Sequence, residues 1–406
     1  MSRLSTALIA FLVALPGAAT AQDLWLSNAR LIDGRPGTAV RSVNLRVNDG
    51  RIAEITAAAD RPGAIDLRGA FLMPGFIDLH THIEDPASAR RALSSGVTTT
   101  RVLGDNYLKG MATRDLVRNG RVAGPQMLVS GGHVRPQLGE SFVLSYPQFG
   151  QYLEAPLKGP DQVAAVVRAV IDRGADVIKV GASERAGLAR TDPRRQELSH
   201  DELRAAVAEA AKNGLHVAAH AHDRQGANAA VRAGVRSIEH GTYVDDETLA
   251  LMRKQGTFFV PTLAIMSPLG DPRGDAADDI ALQLRTLHMM RPLRDAVRKA
   301  RALGVTVAVG TDSSYGDRDD YGRVRPAHEI QELIGCGYTP IEAITAATYD
   351  AARVLGIEGR TGSVAVGLEA DLLVVDRDPR VDPTTLFEPL LVVSDGKIAL
   401  DRVALR

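Results

Sequence analysis

The sequence predicts an α/β protein in which a (β/α)8 TIM barrel is flanked by a small β-sandwich formed from both chain termini. Residues 76–363 alternate strand candidates with amphipathic helices, and this alternation is typical of parallel α/β folds. Eight strand candidates fall within this range, which is the number that a TIM barrel needs. No G-x-G-x-x-G motif follows an early strand, which argues against a dinucleotide-binding sheet.

The eight strand candidates are short segments rich in apolar and β-branched residues. They lie at 76–82, 97–103, 126–133, 176–180, 216–222, 236–240, 257–263 and 305–312. Helical patterns follow most of them, and several run into glycine, as in DQVAAVVRAVIDRG and DDETLALMRKQG. Because glycine is common just after the last turn of a helix, these helices are expected to end there. We therefore expect regular strand–helix repeats throughout the barrel.

Both ends of the chain show short strands joined by polar turns. Asp49-Gly50 and Asp395-Gly396 each lie between segments of alternating polarity, which is a strong signal for a β-hairpin. Residues 22–75 and residues 364–406 are each too few to form a comfortable hydrophobic core alone. We therefore expect the two parts to pack together as one composite β-sandwich domain.

Residues 1–21 have the features of an export signal. Arg3 supplies a positive charge, an apolar run covers residues 6–15, and Ala-Thr-Ala at 19–21 fits the small-x-small cleavage pattern. The run is shorter than the roughly 20 residues that cross a bilayer, and a buried core helix is the alternative interpretation. We expect cleavage near Ala21, export to a bacterial periplasm or the medium, and no membrane insertion of the mature chain.

Composition narrows the classes of partner. The 406-residue chain carries a formal net charge of −1, so it has no overall field that would attract nucleic acid or anionic lipid. Aromatic residues make up only 4%, too few for evident base-stacking platforms. Cys336 is the only cysteine, which excludes an intrachain disulfide and a zinc site built on several thiolates. A small-molecule substrate is favoured over nucleic acid, and homo-oligomer formation is left open.

Metal-ligand side chains stand at the predicted carboxyl ends of five of the strands. Because these ends meet at one mouth of a barrel, where barrel enzymes keep their chemistry, the side chains are expected to converge. Residues i and i+2 of a strand share a face, so His80 and His82 can hold one cation from the same side. Each residue alone has a structural explanation, but the joint pattern predicts a metal site. Its residues are His80, His82, Lys179, His220, His240 and Asp312.

Four further residues are candidates for substrate contacts at the same mouth. His133 ends the third predicted strand, and Arg135 beside it can bind a carboxylate. Tyr243 follows the sixth strand and can donate a hydrogen bond to a carboxylate or a developing oxyanion. His222 shares a face with His220 and is expected to act beside the metal or on the substrate. Packing within the fold is the alternative for each.

The order of these motifs resembles the amidohydrolase superfamily, in its binuclear branch with a carboxylated lysine. The matching motifs extend over nearly the whole mature chain and are MPGFIDLHTH at 73–82, ADVIKV at 175–180, VAAHAH at 217–222, SIEHGT at 237–242 and VGTDS at 309–313. SGGH at 130–133, VAAHAH and SIEHGT are most similar to the Xaa-Pro dipeptidase and imidazolonepropionase-like group within it. A β-sandwich built from both termini also fits this resemblance.

The resemblance implies that Lys179 is N-carboxylated by CO2 and bridges two divalent ions. The inner ion would be held by His80, His82 and Asp312, and the outer ion by His220 and His240. Nitrogen and oxygen donors without thiolate make zinc the leading candidate, with manganese or cobalt as alternatives. A lysine amine can form a carbamate whereas arginine stays protonated, and this chain has only seven lysines.

The implied reaction is hydrolysis of an amide or peptide carbon–nitrogen bond by a metal-bridging hydroxide, with Asp312 moving the proton to the leaving nitrogen. An Xaa-Pro dipeptidase-like or N-acyl-amino-acid hydrolase activity is expected, on a dipeptide or other small molecule. An ochratoxin-type amidase and a cyclic-amide, imidazolonepropionase-like hydrolase are the alternatives. A mononuclear deaminase would not need Lys179, and a non-catalytic binding protein would not need a complete ligand set.

Overall fold

The computed structural model describes residues 23–405, apart from residues 60, 105, 189, 275, 277 and 318–320. The predicted export signal, residues 1–21, lies outside the described residues. The strands of the described part are β1 (Leu24–Leu31), β2 (Arg41–Asn48), β3 (Arg51–Ala57), β4 (Ile65–Asp66), β5 (Phe71–Pro74), β6 (Phe76–Thr81), β7 (Val97–Val102), β8 (Gln126–Val129), β9 (His133–Val134), β10 (Ile178–Gly181), β11 (Val217–Ala221), β12 (Ser237–His240), β13 (Phe258–Val260), β14 (Leu372–Val375), β15 (Leu391–Ser394) and β16 (Lys397–Asp401).

Helices follow most of the strands in the middle of the chain. They are α1 (Pro86–Ser94), α2 (Tyr107–Arg118), α3 (Glu140–Ser145), α4 (Pro160–Asp172), α5 (His200–Ala211), α6 (Arg224–Ala233), α7 (Asp246–Gln255), α8 (Met266–Gly270), α9 (Ile280–Leu303), α10 (Pro326–Gly335), α11 (Pro340–Ala346) and α12 (Tyr349–Leu355). As expected from its sequence, α7 stops at Gly256, which has a φ of 73°. Within the part that the structure describes, no helix is both long and apolar enough to cross a membrane.

The strands from the two ends of the chain form one sheet. Its order is β16-β15-β14-β5-β1-β2-β3, with β4 paired to β1. The ends are joined where β14 runs antiparallel to β5. Apolar residues from both ends also share one buried cluster, in which Leu26 and Leu45 pack with Leu372 and Val393. The two parts of the chain therefore depend on each other for their hydrophobic core.

Both predicted hairpin turns form, and their tips touch. Asp49-Gly50 joins β2 to β3, and Asp395-Gly396 joins β15 to β16. All four residues have φ between 49° and 74°, the left-handed geometry that matches the twist of a two-residue hairpin. A Cβ added to Gly396 would lie 2.5 Å from the Cα of Gly50, so any larger residue there would push the tips apart.

The middle of the chain forms two parallel sheets, which confirms the predicted parallel α/β fold. One sheet has the order β6-β7-β8, and the other runs from β13 through β12, β11 and β10 to β9. In both sheets the spatial order follows the chain order, as expected for repeated strand–helix units.

The segment predicted as the eighth strand, 305–312, lies between the two parallel sheets and makes single bridges instead of a regular strand. Val307 bridges to Phe259 in β13, and Ser313 bridges to Thr81 in β6. The segment therefore connects the last strand of one sheet with the first strand of the other.

Two other predicted strands are shorter than expected. The candidate at 126–133 is divided into β8 and β9 by a turn that contains Gly131 and Gly132, with φ of 66° and 146°. Asp176 then donates its amide hydrogen to the Val129 carbonyl at 2.9 Å, which links β8 to the chain just before β10. The candidate at 257–263 forms only β13, which ends before Pro261, and Thr262 then adopts a left-handed backbone ahead of a short 3-10 helix.

Candidate metal centre

The carboxyl ends of the parallel strands surround a cavity of about 320 Å³. Every residue predicted as a metal ligand lines it, together with two of the predicted substrate contacts. These cavity residues are His80, His82, His133, Lys179, His220, His222, His240 and Asp312. The structure therefore brings together side chains that are as much as 232 positions apart in the chain.

The first cluster contains His80, His82 and Asp312, whose donor atoms all lie within 4.8 Å of one another. His82 Nε2 donates to Asp312 Oδ1 at 2.8 Å. The same oxygen lies 3.4 Å from His80 Nε2. Burial opposes ionisation of Asp312, but the neighbouring His80 and His82 lower the pKa of its carboxyl to about 2. The cluster therefore offers one carboxylate and two imidazoles.

The second cluster contains His220, His222 and His240, again with donor atoms within 4.8 Å. Their rings lie 4.5 to 4.8 Å apart between centroids. The ring of His240 is 5.0 Å from that of His80, so the two clusters are adjacent. The sequence predicted His222 as a neighbour of the metal or a substrate contact, and the structure places it in the cluster itself.

Lys179 lies beside the first cluster and is 2% exposed. Its position on β10 is fixed by pairing with His133 of β9 on one side and Ala218 of β11 on the other. Its Nζ lies 3.4 Å from His80 Nε2. A lysine is therefore buried beside an imidazole, and its charge is one of the causes that lower the pKa of the Asp312 carboxyl.

The buried imidazoles are neutral at physiological pH. Burial, followed by the charge of Lys179, lowers the pKa of His80 to about 4. Burial also lowers the pKa of His222 to about 3, and places the pKa values of His220 and His240 well below the usual range. Neutral imidazoles keep a nitrogen lone pair for a metal ion. Nitrogen and oxygen donors without thiolate suit a divalent ion of the zinc type, so the residues present fit such an ion.

A buried carboxylate fixes the tautomer of His80. Glu239 Oε2 lies 2.9 Å from His80 Nδ1, and Arg101 Nη2 donates to Glu239 Oε1 at 2.8 Å. Burial opposes ionisation of Glu239, but the Arg101 charge and the His80 hydrogen bond lower the pKa of its carboxyl to about 2. An ionised carboxylate can only accept, so His80 Nδ1 carries the proton. His80 Nε2 is then an acceptor that faces Asp312 Oδ1, and two acceptors this close favour a cation between them.

Threonines hold two histidines of the second cluster. His222 Nδ1 lies 2.9 Å from Thr242 Oγ1, and His240 Nδ1 lies 2.8 Å from Thr262 Oγ1. The segment after Thr262 is held by Glu329 of α10, whose carboxyl accepts the amide hydrogens of the next two residues. Such outer contacts orient metal-binding imidazoles in known metal sites.

The backbone is strained at three residues around the cavity. His240, Thr262 and Asp312 have φ of 70°, 51° and 59°, in the left-handed region that side chains other than glycine rarely adopt. Behind Asp312, the carboxyl of Asp78 accepts hydrogen bonds from the amide of Thr311 at 2.9 Å and the hydroxyl of Tyr315 at 2.7 Å. These bonds hold the strained turn, and strain of this kind is concentrated at functional sites.

The predicted substrate contacts separate into two groups. His133 lines the cavity, and its Nε2 is buried with no hydrogen-bond partner among the described residues. Arg135 is turned away and forms an ion pair with Glu197. Among the described residues, neither Arg135 nor Tyr243 lines this cavity.

Several residues that support the site were not predicted from the sequence. Arg101 is 1% exposed, and Asp78 and Glu239 are fully buried. A signal was available, because each is a charged residue inside a predicted buried strand. Such residues are rarely buried unless they are paired. Arg185, which also lines the cavity, lies in a loop and gave no comparable signal.

Known proteins are similar to this chain in sequence and in fold. The sequence profile of the amidohydrolase family matches residues 71–399. Ochratoxinase of Aspergillus niger is 30% identical over 411 aligned residues, which cover 89% of this chain and 82% of the relative. Imidazolonepropionase of Chromobacterium violaceum is 27% identical over 400 residues, covering 87% and 91%. The crystal structure of a Xaa-Pro dipeptidase with bound methionine has a TM-score of 0.82 at 26% identity, and covers 93% of this chain and 99% of that one. The predicted likeness to the amidohydrolases is confirmed.

Proposed function

Because this chain belongs to the amidohydrolase family, we propose that it is a metal-dependent hydrolase that cleaves the carbon–nitrogen bond of an amide or peptide. The observation that carries this proposal is the pair of adjacent ligand clusters in one cavity. Relatives with the names ochratoxinase and Xaa-Pro dipeptidase support a dipeptide or an N-acyl amino acid as substrate. The likeness to imidazolonepropionase supports a cyclic amide as the second candidate.

The two clusters would hold two divalent ions, with zinc as the first candidate. One ion would be held by His80, His82 and Asp312, and the other by His220 and His240 with His222 beside them. Lys179, N-carboxylated by CO2, would supply one oxygen to each. Divalent ions in such a site lower the pKa of water and polarise the substrate carbonyl.

The residues of the chain have separable tasks in this reaction. The Asp312 carboxylate takes the proton of the attacking water and delivers it to the leaving nitrogen. Its low pKa, about 2, keeps it ionised and ready to accept that proton. His133 Nε2, buried without a partner, is placed to donate to the carbonyl oxygen as negative charge develops there. The strained turn behind Asp312 keeps the carboxylate in place throughout.

The architecture that we propose around this site follows the sequence prediction. Residues 76–363 would form one (β/α)8 barrel, and residues 22–75 with 364–406 would form the flanking β-sandwich domain. The bridges from residues 306–313 to β13 and β6, and the Asp176 to Val129 hydrogen bond, support closure of the two parallel sheets into a barrel. The hydrophobic cluster shared by both chain ends supports the flanking domain.

The proposed function is tested by metal content and turnover together. Purified protein is expected to contain close to two divalent ions per chain and to hydrolyse members of a panel of Xaa-Pro dipeptides and N-acyl amino acids. Removal of the ions by a chelator should abolish turnover, and added zinc should restore it. An Asp312→Asn preparation controls for contaminating hydrolases. Active protein that has never met a chelator and contains no transition metal would contradict the proposal, whereas turnover of cyclic amides alone would favour the second candidate.

We also propose export, with cleavage of the signal near Ala21. The support is the charged, apolar and small-residue pattern at 1–21. Protein from an extracytoplasmic fraction is expected to begin at Gln22 when its N-terminus is sequenced. Full-length protein found only in the cytoplasm would refute this location.

A further inference from the structure

One arginine of the cavity lining forms no ion pair with any carboxylate that the structure describes. Arg185 lines the cavity beside the ligand clusters, and no described carboxylate lies within 4 Å of its guanidinium. Neighbouring charged side chains form ion pairs with one another. Arg135 pairs with Glu197, and Arg195 pairs with Glu184. Burial of part of the side chain, followed by the charge of Arg135, lowers the pKa of Arg185, whereas the charge of Glu197 opposes this shift.

The loop that carries Arg185 is braced on both sides. It leaves β10, and an antiparallel bridge between Ser183 and Gln196 closes its base. Within the loop, Glu184 Oε2 accepts the amide hydrogen of Asp192 at 2.7 Å. From α9, Arg285 Nη1 donates to the carbonyl of Ala186 at 3.0 Å. The backbone on both sides of Arg185 is therefore held by contacts within the fold, whereas its exposed side chain becomes ordered when it binds a ligand.

Part of the cavity lining, called here the apolar wall, consists of apolar side chains. It contains six aliphatic or thioether side chains, which are Leu103, Leu188, Ile265, Met266, Leu269 and Leu293. The cavity lining thus combines the two ligand clusters, a guanidinium that forms no ion pair among the described residues, and an apolar surface. A ligand that satisfies all three has a hydrolysable amide, an anionic group and an apolar side chain.

We infer that Arg185 binds the free α-carboxylate of an amino acid whose apolar side chain lies against this wall. This inference rests on the proposed function and adds the residue that selects the substrate. A planar guanidinium binds a carboxylate with two parallel hydrogen bonds, which a lysine cannot reproduce. Arg185 thus takes the place that the sequence analysis gave to Arg135 and Tyr243.

The experiment compares ligands that differ only in this charge. Binding of L-phenylalanine and of L-phenylalaninamide to the metal-loaded protein is measured by calorimetry. The wild type is expected to prefer the acid, and Arg185→Gln should weaken acid binding by about 100-fold while leaving the amide nearly unchanged. Arg185→Lys should weaken acid binding by about 10-fold, because lysine keeps the positive charge but cannot form the two parallel hydrogen bonds of a guanidinium. With dipeptide substrates, the loss in Arg185→Gln should appear in KM more than in kcat.

Arg190→Gln is the matched control, since it removes the same charge from the same loop outside the cavity lining. It should retain the preference for the acid. An Arg185→Gln protein that still prefers the acid, or one that weakens acid and amide equally, would overturn the inference. Arg185-dependent binding of the acid by a protein that hydrolyses no amide would instead refute the proposed function and leave the inference standing.

Discussion

Replacing Lys179 with alanine is expected to lower kcat/KM by at least about a thousandfold. Changes to residues that only orient metal ligands already cost about 10- to 100-fold, and the proposed carbamate of Lys179 would bind both ions directly. Lys179 is 2% exposed and its Nζ lies 3.4 Å from His80 Nε2, so its removal opens space beside the first cluster.

A short carboxylic acid such as propionate should partly restore the rate of Lys179→Ala. A free carboxylate fits the opened space and offers two oxygens in the manner of a carbamate. Lys179→Arg should be inactive and should not respond to the acid, because its guanidinium fills the space with a fixed positive charge. The measurement is kcat/KM of both variants with and without the acid.

A structural role for Lys179 predicts the reverse order. Arginine would then be tolerated better than alanine, and added acid would change nothing. Lys179→Met separates folding from chemistry, because it keeps the volume of the side chain and removes the amine. The exposed Lys109→Ala is the surface control. If Lys179→Arg is more active than Lys179→Ala with acid, the bridging role of this lysine is wrong.

The convergence of the ligand residues was predictable because it depends only on strand order and strand ends. His80, His220 and Asp312 each stand at the carboxyl end of a segment with a clear strand or turn signal, and parallel strands bring such ends together. The same reasoning placed His222 on the face of His220. The role of His222 could not be predicted in the same way, because the orientation of its imidazole depends on its hydrogen-bond partner, Thr242.

Contacts across the fold were not predictable in this way. Arg101 and Glu239 form a buried ion pair although they are 138 positions apart. No local sequence pattern indicates which two buried charged residues form an ion pair. Arg135 was predicted as a carboxylate receptor because it follows His133, but its side chain turns to Glu197.

Strand lengths were overestimated where glycine or a left-handed residue interrupts the ladder. The third candidate strand contains Gly131 and Gly132, and the turn they make divides it. The seventh strand ends at Val260, and Thr262, although threonine favours strands, adopts a left-handed backbone with its hydroxyl 2.8 Å from His240 Nδ1. Local propensity fails here at functional positions, where a tertiary contact decides the backbone.

Glu239→Gln is expected to destabilise the metal-free protein by about 3–5 kcal/mol at pH 7. The amide removes the charge that balances Arg101, and leaving one member of a buried ion pair alone carries this cost. The amide has one acceptor oxygen in place of two, so its two terminal atoms cannot accept from both Arg101 and His80 Nδ1, and the hold on the imidazole tautomer is weakened. Metal affinity should therefore fall by about 10- to 100-fold, which a zinc titration with a competing chelator measures.

Glu329→Gln provides the contrasting control, because Glu329 is equally buried but accepts only backbone amide hydrogens. Burial raises the pKa of its carboxyl to about 8, so the side chain is mostly uncharged at pH 7 and its replacement by glutamine leaves no buried charge without a partner. The folded-state pKa is above the ordinary value of 4.5, so the stability that Glu329 contributes is lost as the pH rises towards 8. The pKa shift of Glu239 has the opposite sign. Because its pKa is about 2 in the folded protein, its contribution to the free energy of unfolding is complete above pH 4.5.

Denaturant unfolding between pH 5 and 8.5 should therefore separate the two glutamates. The deficit of Glu239→Gln relative to the wild type should stay constant over this range. The free energy of unfolding of Glu329→Gln should rise relative to that of the wild type as the pH increases, because only the wild type must ionise a buried carboxyl. Measurements on protein stripped of metal keep ligand binding from adding to the free energy of unfolding. A Glu239→Gln deficit below about 1 kcal/mol would mean that Arg101 finds another partner, and the His80–Glu239–Arg101 chain would then not hold the metal centre in place.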